Sequence, residues 1–267
     1  MNAPVPQDAL PPFVLRHDLG GVTTLTMNRP DSFNALSSAM LLALQAALDP
    51  ISHDPAVRVV VLAGAGKAFC PGHDLKEMSA HPDHAWYTAL FAQCSTMMLT
   101  IQAMPQPVIA RVHGIATAAG CQLVSMCDLA VASDNARFAV SGINYGLFCS
   151  TPSVGLGRNL LRKQALEMLL TGDFIDAAQA KSRGLVNRVV SLDALDAEIK
   201  KLTDSICAKS PVAVRTGKQM FYKQLEMGIE SAYAFAGQTM ATNMMAADAQ
   251  EGFCAFGEKR APVWRGS

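Results

Sequence analysis

Apolar residues in the first two thirds of the chain occur in short runs that glycines and prolines separate. Residues 13–17 and 21–27 are two strand-like runs joined at Leu19-Gly20-Gly21, and this pattern predicts a β-hairpin. The run at 58–62 is continuous, β-branched and too short for a helix, which predicts a buried strand. Residues 107–112 and 129–132 predict two further strands.

Helical patterns lie between these strands. Leu41, Leu44 and Leu48 recur at helical spacing, and Pro50 is the expected end of that helix. Residues 86–104 predict a second helix, and 114–127 predict a small-residue turn that leads into a third. Strands and helices that alternate with short connections are typical of an α/β fold.

The strand pattern stops at about residue 191. Beyond it, 193–209, 211–225 and 230–257 predict three helices that are rich in Met, Ala and Phe towards the end. Only 16% of the 267 residues are charged, whereas about 25% is typical of soluble domains. We therefore expect these helices to pack between copies of the chain. The predicted organisation is a flexible N-terminus (1–12), a core (13–190) and a C-terminal helical region (191–267).

Charge and cysteine content narrow the function. The net charge is zero, which favours neither nucleic acid nor an anionic membrane as a partner. Seven scattered cysteines without a CxxC motif indicate a reducing compartment and argue against disulfides and zinc. His81-Pro82-Asp83-His84 has no third ligand nearby, so we expect a helix start there and no metal site. Residues 1–12 lack signal-peptide features, and the prediction is a soluble cytoplasmic protein.

Two glycine-rich segments carry the candidate chemistry. Residues 64–75 follow the strand at 58–62, and residues 113–123 follow the strand at 107–112. Ligands of α/β sheets bind where such strands end, and small residues let a ligand approach the backbone. Two backbone N–H groups that face one point would stabilise an oxyanion. Each segment alone is explained equally well by a tight turn with close helix–strand packing.

A series of ordered motifs accompanies these segments. Asn28-Arg29-Pro30 and Asn34-Ala35-Leu36 precede them, Cys127-Asp128-Leu129-Ala130 follows them, and 165–172, 178–187 and 251–260 complete the series. In this order the motifs resemble the crotonase (enoyl-CoA hydratase/isomerase) superfamily over nearly the whole chain. The runs 116–123, 146–152 and 221–225 are most similar to one branch of that superfamily, which also has glutamine at the position of Gln122.

The resemblance implies a crotonase-type ββα superhelical spiral with a C-terminal helical trimerisation region, assembled as a homotrimer or a dimer of trimers. It implies that the backbone N–H groups of His73 and Ala119 form an oxyanion hole for an acyl-CoA thioester. Lys259 either approaches the CoA phosphates, often from a neighbouring subunit, or is a plain surface charge. The other residues implied to contact CoA or substrate are Gly72, His73, Asp74, Leu75, Lys76 and Gly120.

The chain departs from the hydratases of this superfamily at both acid–base positions. Hydration uses two glutamates, and here Gln122 and Gly142 stand in their places. An amide positions water but takes no proton near neutral pH, and glycine has no functional group. Cys149 lies in a loop where other branches carry a working carboxylate, and is either a nucleophile or a buried structural cysteine. The His73 side chain is a third catalytic candidate beside Gln122 and Cys149.

Three functions therefore remain open. The first is an enzyme acting on acyl-CoA or enoyl-CoA, nominally a hydratase-like lyase. The second is an acyl-CoA-binding protein without turnover, and the third is a thioester hydrolase or acyl transferase that uses Cys149. In each, a coenzyme A thioester is the substrate or ligand, and no permanently bound cofactor is expected. We expect the helix within 84–104 to line the acyl pocket.

Overall fold

The computed structural model describes residues 11–267. The segment predicted as a flexible N-terminus lies outside the described residues except for Pro11 and Pro12. The carbonyl oxygens of both prolines accept hydrogen bonds from the Arg29 guanidinium, at 2.8 and 3.1 Å. The same guanidinium lies 3.6 Å from the centroid of the Phe13 ring. These contacts hold the beginning of the described chain against the residues that follow the first hairpin.

The strands of the described residues form two sheets. They are β1 (Val14–Leu19), β2 (Val22–Met27), β3 (Val59–Gly64), β4 (Ala68–Cys70), β5 (Val108–Val112), β6 (Ile115–Thr117), β7 (Leu129–Ser133), β8 (Arg137–Ala139), β9 (Ile175–Asp176) and β10 (Arg188–Val190). The larger sheet has the order β1-β2-β3-β5-β7-β10, and the smaller has the order β4-β6-β8-β9. The predicted hairpin and the three predicted buried strands are all present.

Three strands of the larger sheet each lead into a short strand of the smaller one. β3 leads to β4, β5 to β6 and β7 to β8, and helices follow each pair. Pairing within β3-β5-β7 and within β4-β6-β8 is parallel, so each pair advances along the same axis as the last. This is the ββα spiral that the sequence predicts. The helices up to β10 are α1 (Ser38–Ser52), α2 (Leu75–Ala80), α3 (His84–Ala103), α4 (Ala119–Met126), α5 (Ser150–Asn159), α6 (Arg162–Thr171) and α7 (Ala177–Arg183).

Helix α1 shows why the local sequence adopts its structure. The Ser37 hydroxyl caps it by accepting a hydrogen bond from the Met40 N–H at 3.2 Å. Leu41, Leu44 and Leu48 are buried at the predicted helical spacing. The prediction that Pro50 ends this helix is wrong, because α1 continues to Ser52. A proline costs a helix its own N–H bond, and in a last turn that loss is small.

Two further boundaries differ from the predictions. Residues 114–127 are not a turn followed directly by a helix, since Ile115–Thr117 forms β6 and pairs with both β4 and β8. The predicted helix 230–257 is two helices, because Ala246 is extended at φ −65° and ψ 143° and starts a new helix. The C-terminal helices are therefore α8 (Leu195–Cys207), α9 (Pro211–Leu225), α10 (Ile229–Met244) and α11 (Ala247–Glu258).

Helices α8 and α9 are attached to the spiral in different ways. The apolar side of α8, with Leu195 and Ile199, packs against the outer face of the larger sheet. Helix α9 is tied by a buried ion pair, in which the Lys218 ammonium lies 2.7 Å from Asp128 and the two side chains are only 6% and 14% exposed. Lys218 also donates to two backbone carbonyls, and Tyr222 donates to Asp128 at 2.8 Å.

Helices α10 and α11 leave large apolar side chains uncovered. Phe256 is 86% exposed, and Tyr233, Met240, Met245 and Phe253 are exposed as well. Several large exposed apolar side chains on consecutive helices are typical of an interaction surface. None of the helices in residues 11–267 has the length and apolar character needed to cross a membrane.

Candidate active site

Asn34 organises the first glycine-rich segment. Its side-chain oxygen accepts a hydrogen bond from the Arg29 N–H at 2.9 Å, and its amide nitrogen donates to the carbonyls of Ala65 and Ala68 at 2.8 and 2.9 Å. The side chain is fully buried, so these bonds are made without competition from water. They fix the path of the chain from β3 into β4, and therefore the direction in which the chain leaves β4.

The two glycine-rich segments meet at Gly72 and Ala119. Gly72 has φ +103°, and a Cβ at that position would lie 2.9 Å from the Ala118 Cβ and 3.1 Å from the Ala119 nitrogen. Only glycine combines this conformation with this contact. The Leu36 N–H donates to the Gly72 carbonyl at 2.8 Å, and the Thr117 hydroxyl donates to the Pro71 carbonyl at 2.8 Å. The turn before His73 is thus held against the beginning of α4.

Ala118 stands in a strained backbone conformation directly before α4. Its φ is 48° and its ψ is −120°, a region that residues with a side chain rarely adopt. Its N–H donates to the Ala139 carbonyl and its carbonyl accepts from the Gln122 N–H, both at 3.0 Å. These bonds hold the strained residue from both sides. In the part of the chain that the structure describes, neither the His73 N–H nor the Ala119 N–H donates to a protein acceptor.

A cavity of about 550 Å³ opens at this meeting point. It brings together seven residues that the sequence singles out, and Gly72 contacts its wall through Ala118 and Ala119. Phe91 of α3 lines it, in agreement with the expected role of the helix within 84–104. The seven lining residues are His73, Asp74, Leu75, Lys76, Ala119, Gly142 and Cys149.

Besides Gly72, three predicted residues do not line the cavity. Gly120 lies against β4, where a Cβ would overlap the Cys70 carbonyl, so its absence of a side chain serves helix–strand packing. Gln122 lies one turn further along α4 and is buried, and its side-chain oxygen has no hydrogen-bond partner in the described chain. Lys259 is exposed at the end of α11, with φ 58°.

The backbone of Gly142 packs closely against the Cys149 side chain. A Cβ on Gly142 would lie 2.7 Å from the Cys149 sulfur and 2.7 Å from the Leu147 carbonyl oxygen. The space that a glutamate at position 142 would need is therefore filled by this loop. Burial raises the pKa of the Cys149 thiol, which the Gly142 backbone hydrogen bond opposes. A protonated thiol is a poor nucleophile.

Among the residues that the structure describes, the His73 imidazole makes a single hydrogen bond. Its Nδ1 lies 3.1 Å from the Leu36 carbonyl, and its ring meets the Phe91 ring edge-to-face with the centroids 5.5 Å apart. Burial lowers the pKa of the imidazole, although the Leu36 bond and the Glu77 carboxylate act in the opposite direction. The ring is therefore neutral at pH 7.

In the described chain the Asp74 carboxylate accepts hydrogen bonds from backbone N–H groups and makes none with the His73 imidazole. Its carboxylate caps α2 by accepting from the Lys76 and Glu77 N–H groups at 2.9 and 3.2 Å. Glu77 in turn caps α1, because its carboxylate accepts from the Ser38 N–H at 2.9 Å. The His73 imidazole, although next to Asp74 in the sequence, contacts the Leu36 carbonyl.

Some wall residues have no sequence pattern that could reveal them. Phe33, Tyr145, Leu147 and Phe148 line the cavity from two loops, and the chain path alone brings those loops together. Phe33 and Asn34 both have positive φ, at 53° and 64°, and only the asparagine hints at this. No cluster of three metal-ligating side chains occurs within residues 11–267.

A family model described as enoyl-CoA hydratase/isomerase matches residues 18–267. The chain belongs to this family. Among relatives, it is 44% identical to the mitochondrial enoyl-CoA hydratase domain-containing protein 3 of Xenopus laevis over 244 residues, which cover 91% of this chain and 83% of that protein. The human protein of the same name is 44% identical over 248 residues, covering 92% and 81%. The branch predicted from the sequence is confirmed.

Solved structures of the family confirm the crotonase spiral. An enoyl-CoA hydratase of Mycobacterium smegmatis superposes with a TM-score of 0.94 at 62% identity, covering 95% of this chain and 99% of that one. Human enoyl-CoA hydratase domain-containing protein 3 superposes with a TM-score of 0.92 at 42% identity, covering 94% and 100%.

The predicted cytoplasmic location is wrong. The similar domain-containing proteins 3 of Xenopus laevis and human are both named mitochondrial. The prediction rested on the scattered cysteines and on residues 1–12, which lack signal-peptide features, and the cysteines indicate only a compartment that keeps thiols reduced. That property is shared by several compartments, so the cysteine pattern could not separate them.

Proposed function

We propose that this chain binds an acyl-CoA thioester with its carbonyl oxygen between the N–H groups of His73 and Ala119. The contact of the Gly72 turn with the strained Ala118 carries this proposal, because backbone strain of about 1–3 kcal/mol persists only where surrounding structure enforces it. Ala118 stands directly before the Ala119 N–H, which like the His73 N–H donates to no protein acceptor in the described chain. Two such donors stabilise the negative charge of an enolate oxygen.

The reaction that we propose is proton transfer next to the thioester carbonyl. The apolar wall of the cavity suits an acyl chain, and the oxyanion hole lowers the cost of removing an α-proton. Ordinary hydration of enoyl-CoA is disfavoured, because Gln122 exchanges no proton and the loop at Cys149 fills the place of a second glutamate.

The coenzyme A portion would lie at the open end of the cavity. Lys76 is exposed there at the beginning of α2, and it offers a cation to the phosphates. Lys259 lies outside this cavity, so its contribution to coenzyme A binding requires a neighbouring copy. The proposed assembly is a homotrimer or a dimer of trimers. No resident cofactor enters the reaction.

Acyl-CoA binding without turnover is the second candidate. The buried Gln122 in place of a proton-exchanging glutamate favours it, since within residues 11–267 its side-chain oxygen has no hydrogen-bond partner. Thioester hydrolysis through Cys149 is disfavoured by the raised pKa of its thiol.

Replacing Ala119 by proline tests the oxyanion hole. Proline is tolerated at the first position of a helix and removes the N–H, while Ala119→Gly keeps it. We expect Ala119→Pro to lower kcat on enoyl-CoA substrates about 100- to 1,000-fold, the usual cost of one oxyanion donor. Ala119→Gly is expected to stay within a few-fold of the wild type. Conversion is followed through the absorbance of the conjugated enoyl thioester.

Binding and turnover are measured on the same preparations. Calorimetry with a saturated acyl-CoA gives the affinity, and mass spectrometry identifies any product. Saturable binding without product would favour the second candidate. If Ala119→Pro turned over as fast as Ala119→Gly, the assignment of the Ala119 N–H would be wrong.

A further inference from the structure

The protonation of the His73 ring is fixed by its one hydrogen bond. A backbone carbonyl only accepts, so the Nδ1 atom that faces the Leu36 carbonyl carries the proton. In the neutral ring Nε2 is then the bare nitrogen with its lone pair available. The Asp74 carboxylate does not reverse this assignment, because it is engaged at the beginning of α2.

This Nε2 atom is buried and has no hydrogen-bond partner in the described chain. A buried acceptor that is left unsatisfied destabilises the folded state. The cavity wall beside it is formed by Phe91, whose ring covers the imidazole edge-to-face. No other histidine lines the cavity within residues 11–267. An unsatisfied base at the wall of a candidate active site calls for a functional explanation.

We infer that the His73 imidazole is the catalytic base of this site, taking the α-proton of the bound thioester on Nε2. The inference rests on the proposed function, which places the N–H of this same residue at the thioester oxygen. The Cα of His73, from which its side chain extends, would therefore lie close to the reacting carbonyl. Phe91 lies beside the imidazole and lines the cavity, and we expect its ring to move aside when an acyl chain binds, so that Nε2 reaches the α-carbon.

The proton transfer balances within the complex. The bond between the α-carbon and hydrogen breaks, its electron pair enters the enolate, and the proton goes to Nε2. In a 3-enoyl thioester the electron pair extends to the γ-carbon, which takes the same proton back. The product is the conjugated 2-enoyl thioester, and no water is consumed. One base suffices for this isomerisation, whereas hydration needs two groups that exchange protons.

Few charged groups surround the imidazole. From α2, the Glu77 carboxylate acts on it, with Asp74 at the cap and Lys76 at the cavity mouth. The groups from the other elements that pack against it, Leu36 and Phe91, are uncharged. Asp31, Tyr145 and Cys149 complete the titratable residues of the cavity. Since Glu77 raises the pKa of the imidazole by its charge, Glu77→Gln is expected to lower it while keeping an acceptor for the Ser38 N–H.

The test compares wild type with His73→Asn on a 3-enoyl-CoA. Asparagine keeps the backbone N–H and a side-chain donor for the Leu36 carbonyl, but it has no base. We expect kcat to fall at least about 100-fold, within the range of general base catalysis. The affinity for a saturated acyl-CoA, measured by calorimetry, should change less than threefold. Appearance of the conjugated product is followed by absorbance.

The pH profile gives a second measurement. The wild-type rate should fall towards acid with an apparent pKa below about 6.5, the ordinary value for histidine. Glu77→Gln should move this limb to lower pH at an unchanged maximum. If His73→Asn keeps more than a tenth of the wild-type kcat, His73 is not the base. A wild type that binds acyl-CoA but moves no α-proton, in isomerisation or in exchange with D2O, also overturns the inference. Failure to bind overturns the proposed function itself.

Discussion

Ala118 concentrates strain at one residue of the site. With φ 48° and ψ −120° it adopts a conformation in which a Cβ meets its own backbone. The residue is alanine although glycine would fit, and its Cβ packs against the Gly72 turn. The Ala118 side chain thus fixes the position of Gly72, and the strain lies in the Ala118 backbone.

Replacing Ala118 by glycine should therefore stabilise the protein. We expect the free energy of unfolding to rise by about 1 kcal/mol, because glycine adopts this conformation without strain. Ala89 is the matched control, since it lies exposed within α3. Ala89→Gly should lower the free energy of unfolding by about 0.5–1 kcal/mol. Urea unfolding of the two variants gives opposite signs if Ala118 is strained and the same sign if it is not.

Single residues were partly readable from the sequence. His73, Ala119 and Gly142 stand out because motifs of the family mark their positions, and all three line one cavity. The bare Nε2 of His73 could not be predicted, because it depends on the contact with Leu36, which is 37 residues away. The contact between Gly142 and Cys149 depends likewise on the conformation of a loop.

The attachment of α9 depends on a buried pair of charges. Lys218 and Asp128 are largely buried, and the Lys218 ammonium also donates hydrogen bonds to the Ile101 and Gln106 carbonyls. Lys200 and Asp204 form an ion pair of similar length, 2.6 Å, but are 72% and 59% exposed. The two pairs differ in burial and in the hydrogen bonds that Asp128 also accepts from the Tyr222 hydroxyl and the Val108 N–H.

Breaking the two pairs should have very different costs. Asp128→Ala leaves a buried lysine without its partner and should destabilise the protein by about 3–5 kcal/mol. Asp204→Ala should cost no more than about 1 kcal/mol, as is usual for exposed pairs. Thermal and urea unfolding measure both. Equal losses in the two variants would show that α9 does not depend on the buried pair.

Helices and strands with a long, regular pattern of apolar residues were predicted well, whereas the three-residue strands were not. The helical spacing of Leu41, Leu44 and Leu48 predicts α1, and the continuous apolar run at 58–62 predicts β3. β6 and β8 contain only three residues each, too few for a period, and tertiary pairing alone makes them strands. The break at Ala246 was missed because alanine favours helix, and tertiary contacts override that preference.

At the scale of the molecule, α10 and α11 expose an apolar surface that includes Phe256 and Met245. Composition alone led to the expectation of an assembly, since so few residues are charged. The exposed side chains give that expectation a location. The geometry of the assembly could not come from the sequence of one chain, because it depends on how two surfaces fit.

Charges placed on this surface should dissociate the assembly. We expect wild type to sediment as a trimer or a hexamer, and Phe256→Asp with Met245→Asp to sediment as a smaller species. Leu19→Asp is the control, because Leu19 is 72% exposed but lies at the hairpin, far along the chain from these helices. Sedimentation velocity distinguishes the outcomes. A monomeric wild type would remove Lys259 of a second copy from the proposed coenzyme A site.

The close packing of Gly142 against Cys149 and Leu147 also limits which residues can replace Gly142 by a single substitution. A change from glycine to glutamate at 142 meets both a sulfur and a backbone oxygen, so shrinking Cys149 removes only one of the two obstacles. Leu147 must move as well, and that requires a different loop path. A descendant of this protein therefore regains a second carboxylate only after changes that bring no benefit by themselves. Such ordered dependence makes a glutamate at position 142 hard to introduce, and random libraries that vary position 142 alone should yield no hydratase.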